Sequence, residues 1–147
     1  TSVEQWNRVI STNLTGAFIF SKHTLRYMKQ QRSGKIINIG SIAGRHRSIS
    51  ASVEYTCSKY GLIGLTRQLA YQYSKYNINI NCVCPSQTKT DMLLSNFDAQ
   101  SITELESNIP IGRLAVPNDI SNIVYFLVTE QASYVSGAVL DVNGGQI

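Results

Sequence analysis

The stretch at residues 35 to 41, KIINIGS, is an apolar run that ends in a glycine and a serine. A Ser-Gly pair breaks the helical pattern just before it, so we expect a short buried strand that ends near Gly40. A helical pattern follows at about residues 53 to 76, and a second apolar run, ININCVC, occupies residues 78 to 84. This strand–helix–strand order predicts a right-handed crossover between two parallel strands.

Amphipathic patterns on both sides extend this unit. Residues 2 to 31 carry apolar side chains at helical spacing, and Ser2 with Gln5 has the pattern of a capping box. Another helical pattern begins at Pro117, and residues 138 to 142 form a last apolar strand. The sequence therefore predicts one α/β domain of about three parallel strands with flanking helices.

Composition excludes several classes of function. The 147 residues carry a net charge of +4 that is scattered along the chain, so we expect no nucleic-acid partner. No apolar run is long enough to cross a membrane, so no membrane association is expected. Three cysteines and no signal peptide indicate a cytoplasmic protein, and Cys82 and Cys84, two apart on one strand, are poorly placed for a disulfide. Two isolated histidines suggest no metal site.

Three polar residues around the first strand suggest acid–base chemistry. Ser41 follows the strand, and Tyr55 and Lys59 lie four apart on the next helix, where such residues are neighbours. A neighbouring ammonium lowers the pKa of a phenol, and a shift of about 3 units needs about 4 kcal/mol, which one close charge can supply. Tyr71 and Lys75 have the same spacing without a strand-end serine, so we interpret them as a surface pair.

The order of the elements also predicts where a site would form. Ligands of parallel sheets bind beyond the carboxyl ends of the strands. Ser41 follows the first strand and residues 85 to 90 follow the second, while Tyr55 enters from the helix between them. We therefore expect these residues to line one crevice.

Several stretches in this order resemble one known family. The combination is similar to the C-terminal part of a short-chain dehydrogenase/reductase, and the end of the chain resembles the bacterial 3-oxoacyl-carrier-protein reductase branch. The resemblance covers essentially the whole chain and implies the C-terminal portion of a Rossmann-type doubly wound parallel sheet. The stretches that carry it are WNRVISTNLTG at residues 6 to 16, GSIAG at 40 to 44, YTCSK at 55 to 59, NCVCP at 81 to 85, TDM at 90 to 92, IPIGR at 109 to 113 and VNGG at 142 to 145.

The resemblance implies four catalytic roles. Tyr55 would pass a proton to or from the substrate oxygen, and Lys59 would lower the tyrosine pKa and hold the nicotinamide ribose. Ser41 would bond the reacting oxygen, and Asn13 would kink its helix and position a water molecule. Asn13 also falls on the apolar face of its helix, where a polar group needs a partner, so a core amide without chemistry is the alternative.

The same resemblance implies NAD or NADP as the cofactor. The residues implied to contact it are Tyr55, Lys59, Pro85, Ser86, Thr88 and Thr90. Ser86 stands where the family has a glycine, which matters only if that backbone needs a positive φ. Residues 91 to 116, an irregular insert, would be a flap over the substrate, with apolar residues near its start.

The glycine-rich turn that holds dinucleotide phosphates is absent from the sequence. We therefore expect residues 1 to 147 to be a partial NAD(P)-binding domain without its N-terminal half. Its first strand would be an exposed apolar edge, and the isolated chain would bind cofactor weakly and not turn over.

The function implied is an NAD(P)-dependent oxidoreductase acting on a small-molecule or acyl-carrier-bound carbonyl or secondary alcohol, as a homodimer or homotetramer in full-length form. A truncated, non-catalytic remnant that serves as an oligomerisation module is the alternative. A sugar, a steroid or a small alcohol also fits as substrate. The run Arg45-His46-Arg47 would meet an anionic substrate or carrier, or form a solvated loop.

Overall fold

The sheet has three parallel strands in the order in which they occur along the chain. The computed structural model describes residues 1–48 and 51–146. Residues 49, 50 and 147, which belong to the predicted domain range of 1 to 147, lie outside that description. The strands are β1 (Gly34–Ile39), β2 (Ile78–Pro85) and β3 (Val139–Val142), with β2 in the centre. This confirms the predicted α/β fold.

Helices connect and cover these strands. The first two α-helices are joined by a π-helical stretch, Ser11–Thr15, and short 3₁₀ turns follow β1, the third helix and the last helix. The α-helices are α1 (Val3–Ile10), α2 (Gly16–Gln31), α3 (Val53–Tyr73), α4 (Asp91–Asn96), α5 (Ala99–Ser107) and α6 (Pro117–Val128).

The two faces of the central strand pack against different helices, because successive side chains of a strand point in opposite directions. On one face, Ile78 and Ile80 pack with Leu25 and Ala70 of α2 and α3. Farther along that face, Cys82 and Cys84 pack against Ile63 of α3, and on the other face Val83 packs against Leu127 of α6. The sheet is therefore covered by α2 and α3 on one side and by α6 on the other.

The start of α1 has only half of the predicted capping box. Ser2 Oγ accepts a hydrogen bond from the Gln5 backbone N–H, as expected. The Gln5 side chain instead donates to Glu54 Oε1 at 2.8 Å, and Thr1 Oγ1 donates to the other carboxylate oxygen at 2.7 Å. Glu54 is fully buried. A buried carboxylate needs donors, which explains why the Gln5 amide is drawn away from the helix end.

The prediction that residues 91 to 116 are irregular is wrong, because α4 and α5 lie within them. Both helices begin at a polar cap: Thr90 Oγ1 accepts from the Leu93 N–H at 3.4 Å, and Asp98 Oδ1 accepts from the Ser101 N–H at 2.8 Å. Each helix has fewer than ten residues, too few for a clear apolar period.

The two glycines inside α3, Gly61 and Gly64, differ in their surroundings. A Cβ on Gly61 would lie 2.6 Å from Leu14 Cδ2, so its close neighbour is a side chain. A Cβ on Gly64 would meet no atom within 4 Å. Of these two glycines, Gly61 is therefore closely packed and Gly64 faces open space.

Most of the apolar face predicted for residues 2 to 31 is at least partly buried, with Leu25 fully so. Trp6 and Phe18 on that face are 36% and 46% exposed. β1 lies at an edge of the sheet, and Ile39 near its end is 45% exposed. None of the helices described is long and apolar enough to traverse a bilayer.

Candidate active site

Ser41 lies immediately beyond the carboxyl end of β1. It caps the 3₁₀ turn Ile42–Gly44, where its Oγ accepts a hydrogen bond from the Ala43 N–H at 3.1 Å. A hydroxyl that accepts one bond keeps its own proton available. Ser41 can therefore donate a hydrogen bond to an oxygen atom in front of the sheet.

Tyr55 and Lys59 lie in the first turns of α3, which faces the same edge of the sheet. Lys59 Nζ donates to the carbonyl oxygen of Ile39 at 2.8 Å and lies 5.5 Å from the centre of the Tyr55 ring. Burial lowers the pKa of Lys59. An ammonium has three N–H donors, so the bond to Ile39 leaves two for other partners. The lysine is thus fixed between the end of β1 and the tyrosine ring.

Asn13 lies in the π-helical stretch between α1 and α2, an irregularity that is frequent at functional sites. Its Nδ2 donates to Ser58 Oγ at 3.1 Å. Ser58 is fully buried, and its Oγ donates in turn to the carbonyl oxygen of Tyr55 at 2.6 Å. Asn13 is therefore linked, through Ser58, to the backbone of the helical turn that carries Tyr55.

An open cavity of about 350 Å³ lies at this edge of the sheet. Ser41 and Tyr55 line it together, and Met92 and Leu93 of α4 contribute apolar side chains. The cavity size falls within the range of small-molecule sites. The predicted crevice is thus formed by the residues expected from the order of the elements.

Besides Tyr55 and Lys59 on α3, the residues expected to contact the cofactor lie at the end of β2 and on the segment after it. Ser86, Thr88 and Thr90 line the cavity, whereas Pro85 is the last residue of the strand. Thr88 Oγ1 donates to the Ser86 carbonyl at 3.1 Å. The backbone of Ser86 does not adopt a positive φ, so serine fits there without the conformational freedom of glycine.

A bidentate ion pair, which the sequence did not indicate, joins the turn after β1 to strand β3. Arg45 Nε and Nη2 donate to the two carboxylate oxygens of Asp141 on β3, at 2.9 and 3.0 Å. Arg45 is therefore held against the sheet and is not free to meet an anionic substrate. His46 and Arg47 are exposed. In the described part of the chain, no group of three or more histidine, cysteine or acidic side chains could hold a metal ion.

The second tyrosine–lysine pair lies far from this cavity. Tyr71 is 86% exposed near the end of α3, and Lys75 lies over the ring of Tyr76 at 5.4 Å. This confirms the interpretation of Tyr71 and Lys75 as a surface pair.

Comparison with known proteins identifies the family. The family model described as enoyl-(acyl carrier protein) reductase matches residues 1–146. The 3-oxoacyl-[acyl-carrier-protein] reductase of Aquifex aeolicus is 40% identical over 146 residues, which are 98% of this chain and 57% of the relative. The chain belongs to the short-chain dehydrogenase/reductase family. The acetoacetyl-CoA reductase of an Acinetobacter strain is 39% identical over 98% of this chain and 57% of the relative.

Solved structures of short-chain dehydrogenases/reductases share the fold. A 3-oxoacyl-[acyl-carrier protein] reductase from Brucella melitensis matches with a TM-score of 0.95 and 29% identity, over 100% of this chain and 55% of the other. A Brucella melitensis reductase solved with bound NAD matches with a TM-score of 0.92 and 28% identity, over 100% and 54%. The chain thus spans somewhat more than half the length of the relatives that it matches.

Proposed function

We propose that this chain supplies the acid–base and substrate-binding part of an NAD(P)-dependent oxidoreductase that interconverts a carbonyl and a secondary alcohol. The observation that carries this proposal is that Ser41 and Tyr55 line one cavity, with Lys59 held beside the tyrosine ring. Relatives named as reductases of 3-oxoacyl carrier proteins and of acetoacetyl-CoA support a 3-oxoacyl thioester as the substrate class.

In this mechanism a nicotinamide cofactor, when bound, supplies or accepts the hydride. Ser41 Oγ–H donates a hydrogen bond to the reacting oxygen, since the bond that Oγ accepts from the Ala43 N–H leaves this proton free. Tyr55 gives a proton to that oxygen during reduction and takes it back during oxidation. Lys59 holds its ammonium 5.5 Å from the centre of the Tyr55 ring and so places a positive charge beside the group that transfers the proton. Asn13 binds Ser58, which binds the Tyr55 carbonyl, and so helps to hold the helical turn that carries Tyr55 in place.

The residues present fit the nicotinamide end of a dinucleotide. Lys59 keeps two N–H donors free for a ribose, and Ser86, Thr88 and Thr90 line the cavity that Tyr55 also lines. The sequence has no G-x-G-x-x-G turn for the phosphates. We therefore propose that the complete enzyme needs residues beyond these for the rest of the cofactor, and that the 147-residue chain alone does not turn over.

The substrate-facing side of the cavity is apolar. Met92 and Leu93 of α4 line it, and Met92 is 75% exposed, so its side chain is available to a ligand. We propose that residues 91 to 116 act as the flap that covers the acyl chain. An apolar acyl chain suits this surface better than a sugar does.

The test uses the complete protein that carries this sequence, assayed with NADH and with NADPH on acetoacetyl-CoA and on acetoacetyl carrier protein. Tyr55→Phe should lower kcat by about 10²- to 10⁴-fold, the usual contribution of a general acid. Tyr71→Phe is the matched control, because it removes a phenol from a pair with the same spacing at the surface. Equal activity of Tyr55→Phe and the control would refute the assignment.

An oligomerisation role has its own support. Phe20 of α2 and Tyr60 of α3 are 77% and 47% exposed, and apolar surface of this kind is typical of an interface. The family commonly pairs through these two helices, so we propose a homodimer contact here. One relative that is 39% identical to this chain is named as an inactive dehydrogenase. A non-catalytic protein can therefore be this similar to the chain. Sedimentation analysis of the 147-residue chain with a cofactor titration separates the roles: a dimer without cofactor binding favours the remnant.

A further inference from the structure

The buried carboxylate of Glu54 takes no part in the proposed mechanism, although it lies one residue before Tyr55. Glu54 is fully buried in the first turn of α3. Its two carboxylate oxygens accept from Gln5 Nε2 at 2.8 Å and from Thr1 Oγ1 at 2.7 Å. Neither of the ion pairs found among residues 1–48 and 51–146 includes Glu54. A buried carboxylate without a cation depends on its hydrogen bonds, so these contacts fix the group in place.

The charge of this carboxylate determines which atoms can lie against it. The hydrogen bond from Thr1, the backbone N–H of Glu54 itself and the Ser52 hydroxyl each lower the pKa of Glu54. The dipole of α3 also favours a negative charge in its first turn. Because an ionised carboxylate only accepts hydrogen bonds, Gln5 must turn its NH₂ group towards it. In this contact α1 therefore donates and α3 accepts.

Glu54 belongs to a row of contacts along one face of α3. Positions 54, 58 and 61 have the spacing i, i+4 and i+7, which places them on the same side of a helix. This side packs closely, since a Cβ on Gly61 would lie 2.6 Å from Leu14 Cδ2. We call the row the helix seam; its three contacts are Gln5 with Glu54, Asn13 with Ser58 and Leu14 with Gly61.

The two proposed active-site residues of α3 each follow a seam residue by one position. Tyr55 follows Glu54, and Lys59 follows Ser58. One position is a turn of about 100° around a helix, so fixing Glu54 and Ser58 also fixes the direction of the next two side chains. Side-chain ends lie about 5–6 Å from a helix axis, so a rotation of about 10° moves them by about 1 Å. A misplacement of about 1 Å can cost about 10²-fold in rate.

We propose that Glu54 is a positioning residue, which sets the rotation of α3 about its axis and thereby directs Tyr55 into the cavity. The contact of Asn13 with Ser58 holds α3 at one point, and the Gln5–Glu54 contact holds it one turn earlier. Two such points resist rotation better than one. This inference rests on the proposed acid–base role of Tyr55, because a positioning effect on the rate requires that role.

The kinetic test uses the complete protein that carries this sequence, with acetoacetyl-CoA and NADH or NADPH. Glu54→Ala and Gln5→Ala should each lower kcat by about 10- to 100-fold and lower kcat/KM equally, because alignment matters in the transition state. Asn79→Ala is the matched control for lost stability. It removes buried hydrogen bonds to the Ser133 and Val135 carbonyls at 2.9 and 3.1 Å, near the amino end of β2, and should leave kcat unchanged.

Exchanging donor and acceptor provides a rescue. In the double variant Gln5→Glu with Glu54→Gln, the new amide at position 54 can donate to the new carboxylate at position 5 and still accept from Thr1. This double variant should regain kcat to within about threefold of the wild type, while Glu54→Gln alone should not, because it sets two amide donors against each other. Gln5 is exposed, so Gln5→Ala keeps the test open if Glu54→Ala does not fold.

A second measurement does not depend on turnover. In protein with ¹³C-labelled tyrosine, the Tyr55 ring resonance, assigned by its loss in Tyr55→Phe, should shift in Gln5→Ala, return in the double variant and stay in place in Asn79→Ala. An unreactive wild type would contradict the proposed function alone, and the resonance would then decide the positioning role. An unmoved Tyr55 resonance, a kcat as high as that of Asn79→Ala, or a double variant no better than the single ones would overturn the proposal.

Discussion

The link from Asn13 through Ser58 to Tyr55 should contribute measurably to stability. Ser58 is fully buried and accepts from Asn13 Nδ2 at 3.1 Å while donating to the Tyr55 carbonyl at 2.6 Å. Ser58→Ala removes both bonds and leaves the half-buried amide of Asn13 without this acceptor. Leaving such a donor unpaired costs about 1–3 kcal/mol.

Asn13→Ala removes only the first bond and improves helix propensity, so its cost should be smaller, about 0.5–1.5 kcal/mol. If the two side chains act on each other, the double variant should show a coupling free energy of about 1 kcal/mol. At an unfolding entropy of about 2.1 cal/mol/K per residue, a chain of 147 residues loses about 3 °C in Tm per kcal/mol.

The assay is urea unfolding of the wild type, the two single variants and the double variant, followed by far-ultraviolet circular dichroism. Thr12→Ala is the control, because Thr12 is an exposed neighbour of Asn13 in the π-helical stretch, and it should change stability by less than about 0.5 kcal/mol. A coupling free energy below about 0.3 kcal/mol, within the error expected for independent sites, would refute the linkage.

Three further predictions concern separate parts of the fold. Gly64→Ala should raise the free energy of unfolding by about 0.5–1 kcal/mol in a thermal melt, because the added methyl meets open space inside a helix; a lower Tm would contradict this. Thr66→Val should cost about 1–3 kcal/mol in urea unfolding, since it removes the acceptor of the buried Asn38 amide at 2.9 Å, whereas Thr66→Ser should cost less; equal losses would argue against the bond. The Arg113 guanidinium lowers the pKa of Asp119 to about 2 from the usual 3.8. The contribution of this ion pair to the free energy of unfolding is therefore present above pH 4 and is lost as the pH falls towards 2. In Asp119→Asn the pH dependence of unfolding in that window should flatten, and an unchanged profile would exclude this contribution.

The strands and their order were predictable because each is an apolar run bounded by a break in the pattern. The observed bounds of β1 differ from the predicted ones by one residue at each end, and those of β3 by one residue at its start. The helices α4 and α5 were missed because they depend on their caps, Thr90 and Asp98, rather than on an apolar period. Short helices of this kind have too few turns for an apolar period to be recognised in the sequence.

The contacts behind the site could not be predicted from spacing, because they join residues far apart in sequence. Asn13 and Ser58 are separated by 45 positions, and Arg45 and Asp141 by 96. The sequence indicated that Asn13 needed a partner but not which one. The strand ends, in contrast, bring Ser41 and Ser86 together through the parallel order alone.

The two tyrosine–lysine pairs show why location rather than spacing makes a site. Tyr55 and Tyr71 are 16 residues apart, about 24 Å along α3 at 1.5 Å per residue. Tyr55 enters at the carboxyl edge of the sheet, where Ser41 ends β1 and the cavity opens. Tyr71 lies towards the other end of the helix, away from the carboxyl ends of β1 and β2, and is 86% exposed. The same local pattern therefore supports acid–base chemistry only where the topology brings a hydroxyl and a cavity to it.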